Sequence, residues 1–123
     1  MRKFPWRHLY AWLLAAFFCL GGYLNIFASP EVLDDYRRWG FPDWFHVATG
    51  VLEWGAALLL ALPAFRLAGS ILAGAVMASA ATTVLLNAEY AHAVPPVIVL
   101  MLVCLNGWWS WRLARLDEVS VSR

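Results

Sequence analysis

Four apolar stretches, at 8–28, 44–63, 66–87 and 95–113, follow one another along the chain, parted by short polar segments. Each comes close to the ~20 residues that a helix needs to cross ~30 Å of hydrocarbon. In the second stretch, residues from Trp44 to Leu62 are apolar almost throughout, and Glu53 near the middle breaks the pattern. A carboxylate at bilayer depth costs roughly 2.5–3.5 kcal/mol on insertion scales, so such groups turn toward protein or a wet cavity. His46, Thr49, Gly50 and Glu53 follow the i, i+3, i+4, i+7 spacing and share one helix face. That face reads as an inner wall. The pattern predicts an all-α chain: one domain over 1–123, a four-transmembrane-helix antiparallel bundle with a short interfacial helix between helices 1 and 2.

The polar segments supply the punctuation. Ser29 can cap and Pro30 can start a short helix over 30–39, with Glu31, Asp34 and Asp35 early and Arg37 and Arg38 late, as the helix dipole favours. Gly40 stops it. Val32, Leu33, Tyr36 and Trp39 lie near one side, which places this helix in the headgroup layer as a passive connector or a lid. Only Ala64, Phe65 and Arg66 part the second span from the third, so these two form a hairpin. In the third, Ser70, Gly74 and Ala78 repeat at four-residue spacing, the pattern that lets helix backbones approach closely in lipid and one that could serve a homodimer. Pro95 and Pro96 are expected to open the fourth span, where missing donors matter least. Asn106-Gly107 interrupts it, and the polar tail 114–123 is expected to fray.

Composition agrees: 63% of the residues are hydrophobic and 14% charged, the mark of an integral membrane protein with the lipid bilayer as its first partner. Four spans put both termini on one side, with Arg2, Lys3, Arg7, Arg66, Arg112, Arg115 and Arg123. Glu31, Asp34, Asp35, Asp43 and Glu89 fall on the other, so the basic bias predicts cytoplasmic termini in a bacterial inner membrane. The first apolar run is too long for a signal peptide, and A-x-A is poorly matched at 26–28. No basic patch is interleaved with exposed aromatics, which argues against nucleic acid. Cys19 and Cys104 sit inside apolar runs and read as packing residues.

Aligned by depth, Asn25, His46 and Asn87 fall near the outer leaflet, with Glu53 near the midplane and Asn106 at similar depth. The polar side chains step down from one surface to the middle, which suits a shallow pocket open outward. Thr49, Asn106, Trp54, Thr82 and Thr83 are the candidate partners of Glu53. Glu53 either handles a proton or anchors a ligand, or it is a neutral carboxyl that ties helices together. His46 is an interfacial histidine or a proton relay, and Asn25 and Asn87 are helix-end caps or ligands. No ligand spacing supports a metal site, and no serine or cysteine stands beside a base, so no catalytic residue is assigned.

Gly22-Tyr23-Leu24-Asn25 at the end of helix 1, the amphipathic stretch ending Trp39-Gly40-Phe41-Pro42, and Gly50-Val51-Leu52-Glu53 before an apolar Leu/Ala run form a recognisable layout. With the small-residue third helix and Pro-Pro opening the fourth, the chain resembles the DoxX-like membrane proteins over nearly its whole length. The resemblance implies a compact four-helix bundle with the glutamate inward. Many relatives carry a lysine after a glycine near the end of helix 1, and here that position is Asn25. It also implies links to quinone-coupled oxidation, to membrane oxidoreductase complexes or to the assembly of partner membrane proteins. The expected function is to bind a hydrophobic ligand, a quinone or lipid, around Glu53, with His46, Asn25, Thr49, Trp54, Asn87 and Asn106 contributing. The chain would then serve as accessory subunit to a redox enzyme, with no intrinsic cofactor. The alternative is an assembly or structural protein in which Glu53 only locks helix packing.

Overall fold

The computed structural model describes residues 6–122; Arg2, Lys3 and Arg123, counted above toward the basic face, lie outside them. Five helices follow in order: α1 (Trp6–Ile26), α2 (Pro30–Arg38), α3 (Phe45–Ala61), α4 (Arg66–Leu86) and α5 (Tyr90–Ser122). A 3-10 turn, Pro63–Phe65, joins α3 to α4, and no strand occurs among the described residues. α1, α4 with its preceding turn, and α5 are each long and apolar enough to cross a membrane. α3 has 17 residues, or about 25 Å of helix.

α1 packs on α3, α3 on α4, and α4 on α5. Leu14, Phe18, Leu60, Met77, Val99 and Val103 form the core where these contacts meet. The α1–α3 seam is closed by glycine. A Cβ on Gly22 would lie 2.8 Å from the Gly50 carbonyl oxygen, and one on Gly50 would lie 2.7 Å from that of Gly22, so no side chain fits on either face. Trp54 Nε1 donates to the Cys19 carbonyl at 3.0 Å and Trp12 Nε1 to that of Ala61 at 3.2 Å, which binds each helix to its neighbour's backbone.

α2 begins and ends as its sequence directs. Ser29 Oγ accepts from the Val32 amide at 3.3 Å, and Pro30 takes the first position. Gly40 ends it at φ +87, which frees the Phe41 amide to close on the Tyr36 carbonyl.

Four expectations are corrected. The small-residue stripe of α4 is covered within the chain: a Cβ on Gly74 would meet Leu100 and Val103 of α5 at 3.8 Å, and Gly107 of α5 lies against Ser70. That face is therefore occupied without a second copy. Pro95 and Pro96 do not open the last helix but lie inside it. It starts at Tyr90 because Ala88 turns the chain at φ 59 and the Glu89 amide closes on the Val84 carbonyl. The segment 114–122 continues α5 rather than fraying. Arg112 lies over Trp108 and Arg115 over Trp111 at 5.3 and 5.0 Å, pairs spaced i, i+4 that support the last turns. Cys19 and Cys104 are both free and outward-facing rather than packed inside.

Candidate functional site

Glu53 is 4% exposed, and it lies in the α1–α3 seam. A Cβ on Gly21 would come within 3.1 Å of both its oxygens, so glycine at that position makes room for the carboxyl. Asn25, one turn further along α1, donates from Nδ2 to Glu53 Oε2 at 2.8 Å and to the Gly21 carbonyl at 3.0 Å. The Asn25 Oδ1 accepts from the Tyr36 hydroxyl of α2 at 2.7 Å. A hydrogen-bonded line thus runs from the buried carboxyl through an amide to a phenol. Burial holds the Tyr36 phenol above its ordinary value, so it stays a donor at neutral pH.

Tyr36 is also part of the wall of a large cavity of about 880 Å³ between α2, α3, α4 and α5. Phe17, Leu72, Val76 and Met77 form its floor, and Tyr36, Trp39, Phe41 and Phe45 one apolar wall. Binding pockets for small molecules are commonly ~300–1,000 Å³, mostly apolar, with a few placed polar groups. Two of the hydroxyls here already have their protons engaged. Thr49 Oγ1, which lines the cavity, already donates to the Phe45 carbonyl at 3.1 Å. The Tyr36 hydroxyl already donates to Asn25, with Thr49 beside it, so the phenol meets a ligand as an acceptor. Pro95 and Pro96 lack amide protons, so the carbonyls of Ala91 and His92 have no donor four residues on, and all four residues line the cavity.

α2 covers this space and is tied down at its far end. The Trp39 indole and the Arg38 guanidinium both donate to the Glu89 carboxylate, and Arg38 also pairs with Asp35 at 2.9 Å. Trp39 first, and then Arg38, hold the Glu89 carboxyl below its ordinary value. The left-handed turn at Ala88, a conformation costing about 1 kcal/mol for a non-glycine residue, brings Glu89 to that position.

Of the seven residues singled out in the sequence, the structure brings Glu53 and Asn25 together and puts Thr49 on the cavity wall. His46 lies beside Tyr36, ring centroids 6.4 Å apart, and its Nδ1 is buried with no partner among the described residues. The other three are elsewhere. Trp54 is 40% exposed and holds the outside of the α1–α3 seam. Asn87 is an exposed cap on the Thr83 carbonyl. Asn106 pairs with Ser70 at 2.9 Å between α4 and α5, on the end where the termini lie. Equal depth on paper did not bring Asn106 to Glu53, because the two residues belong to different helix pairs.

Sequence reading missed Tyr36, Glu89 and Arg66 as structural partners. Tyr36 and Glu89 carried a signal only in combination, an aromatic-faced helix opposite a lone acid. Arg66 read as a loop cation, yet it is 5% exposed.

A family model matches residues 9–106, that of the DoxX-like family. No curated protein and no solved structure matches. The glycine-lined glutamate, the amphipathic helix and most of the apolar spans fall within the matched region, and the chain belongs to the DoxX-like family, as a small integral membrane protein.

Proposed function

We propose that the chain binds a hydrophobic ligand, a quinol/quinone or a hydroxyl-bearing lipid, in the cavity beneath α2, with Tyr36 as the contact that links it to Glu53. In this reading α1, α3, α4 and α5 cross the bilayer as a four-helix bundle. α2 lies in the outer headgroup layer, and both termini are cytoplasmic in a bacterial inner membrane. The observation that carries the proposal is the Glu53–Asn25–Tyr36 line, which starts at a buried carboxyl and ends on the wall of a large apolar cavity. A ligand that brings its own O–H can use the Tyr36 oxygen and the carbonyls of Ala91 and His92, which have no amide donor four residues on. A quinol hydroxyl would donate to Tyr36, whose own proton is held by Asn25, which Glu53 orients in turn. No redox group is held by the chain in this reading. Electrons given up by a bound quinol therefore pass to a partner enzyme that the chain serves as accessory subunit, and those taken up by a quinone come from it.

The test is mass spectrometry of lipids extracted from the purified protein. A stoichiometric quinone or hydroxylated lipid is expected, and Tyr36→Phe should reduce its retention about tenfold, the loss of one buried hydrogen bond. Equal retention by Tyr36→Phe, or no stoichiometric molecule in the wild type, sinks the reading. One observation favours the second reading, assembly or structural support: Glu53 sits in the α1–α3 seam, off the cavity wall. Glu53→Gln separates the two, because it keeps the hydrogen bond from Asn25 and removes the titratable proton. Function that survives Glu53→Gln belongs to a structural carboxyl.

A further inference from the structure

At the end of the molecule where the termini lie, a second cavity of about 380 Å³ opens between the start of α1, the turn before α4, and α5. Its polar wall is Arg7, His8, Arg66, Asn106 and Ser110, with the Trp109 ring beside them, and among the described residues no aspartate or glutamate lines it. Arg66 is buried, and its partners are neutral. Nε donates to the Leu60 carbonyl at 3.0 Å, and Nη1 donates to His8 Nδ1 at 2.7 Å. Nη2 is buried with no partner among the described residues. By accepting at Nδ1, His8 is fixed as a neutral imidazole whose proton is on Nε2, which adds one more donor.

A buried guanidinium is costly unless it is paired, and more so in a bilayer. Among the described residues the companion charge is another cation, Arg7, and none of them supplies a counter-charge to this cavity. An anion bound from outside would compensate both cations. Guanidinium forks, an imidazole N–H and a serine hydroxyl are the donor set that suits a phosphate-type oxyanion. Basic pockets between membrane helices take lipid headgroups by the same chemistry.

We infer that the cavity formed by Arg7, His8, Arg66, Asn106 and Ser110 is a binding site for a phosphate-type oxyanion, either the headgroup of an anionic lipid or free phosphate. This site is independent of the cavity beneath α2, and either proposal can fail alone. The full chain, purified in an uncharged detergent, is examined by native mass spectrometry with phosphatidylglycerol and with diacylglycerol of the same acyl chains. Its thermal unfolding is followed in parallel across a titration with inorganic phosphate.

The expected result is preferential retention of phosphatidylglycerol over diacylglycerol. Arg7→Gln should weaken it severalfold and Arg66→Lys, which keeps the charge but loses the fork, about tenfold. A saturable stabilisation by inorganic phosphate that Arg7→Gln weakens would assign the site to a free anion as well. Binding of the lipid alone assigns it to a headgroup. Should Arg66→Lys fail to fold, Arg7→Gln decides alone, because that side chain is exposed. Equal retention of the two lipids with no saturable effect of phosphate overturns the proposal, as does binding that both variants leave unchanged.

Discussion

The two helix pairs of this chain are built from similar small residues and do opposite things. In the α1–α3 pair, Gly22 and Gly50 bring the backbones so close that no Cβ fits between them, and the seam is shut around Glu53. In the α4–α5 pair, a Cβ on Gly74 would meet its neighbours only at an ordinary 3.8 Å; the helices close where Gly107 meets Ser70, and toward the other end they line the cavity beneath α2. The closed pair holds the polar group rigidly away from lipid, and the open pair leaves room for a guest. Tyr36 belongs to neither; it donates to Asn25 of the closed pair and lines the cavity. A carboxyl placed in the open pair would be wet and mobile; placed in the closed pair, its only described route to the cavity is through Asn25 and Tyr36.

The hardest way to break this contrast is to force the closed seam. Gly22→Leu must displace the Gly50 backbone and the Trp54 ring, and overpacking of that kind costs about 3 kcal/mol or more when backbone has to move. We expect loss of the folded protein, or a large fall in the midpoint of thermal unfolding in detergent. A variant that melts like the wild type would mean that the seam is not shut. Glu53→Ala comes next. It leaves the Asn25 amide without its carboxyl acceptor and opens a void, at an expected cost of about 2–4 kcal/mol in the same measurement. Trp54→Phe removes one indole bond to the Cys19 carbonyl at a half-open site, so a loss of about 1 kcal/mol is expected.

Much of this architecture was legible in the sequence, and the omissions have a common cause. Helix positions followed from apolar run length, and both ends of α2 from Ser29, Pro30 and Gly40, because those signals are local. Glu53 was found because a carboxylate in an apolar run is expensive wherever the helix packs. Pairing between helices was not legible. Gly22 and Gly50 are spaced like any other glycines, and only the fold reveals that they face each other. The four-residue spacing of Ser70, Gly74 and Ala78 promised the tightest contact, yet at Gly74 itself there is room for a Cβ. Arg66 was assigned to a loop by its place between two apolar runs, and its burial depends on His8, some sixty positions away in sequence.

The cover of the cavity gives a pH-dependent test. Trp39 and Arg38 stabilise the ionised Glu89, so its carboxyl titrates below the ordinary value of 4.5 in the folded protein. A group depressed in this way contributes fully above its unfolded value and loses its contribution as pH falls through the folded one. The hold on α2 should therefore be unchanged from pH 7 to about pH 5 and released only below the usual carboxyl range. A spin label on Asp34→Cys, with Cys19→Ser and Cys104→Ser in the background, reads this as label mobility. Release at pH 6 would contradict the assignment, and Glu89→Gln should be mobile at every pH.

The smallest effect is the sharpest on the comparison itself. Gly74 lies in the middle of α4, and alanine there favours the helix by about 0.8–1 kcal/mol over glycine. The added Cβ would sit 3.8 Å from a Leu100 methyl and a Val103 methyl, an ordinary van der Waals separation that requires no movement. Both terms point the same way, so Gly74→Ala should leave thermal unfolding unchanged or raise its midpoint slightly. The identical substitution at Gly50 meets the Gly22 carbonyl at 2.7 Å and should lower it. A fall at Gly74 as large as that at Gly50 would show that α4 and α5 are as tightly shut as α1 and α3. The room for a guest beneath α2 would then have to be found without that pair.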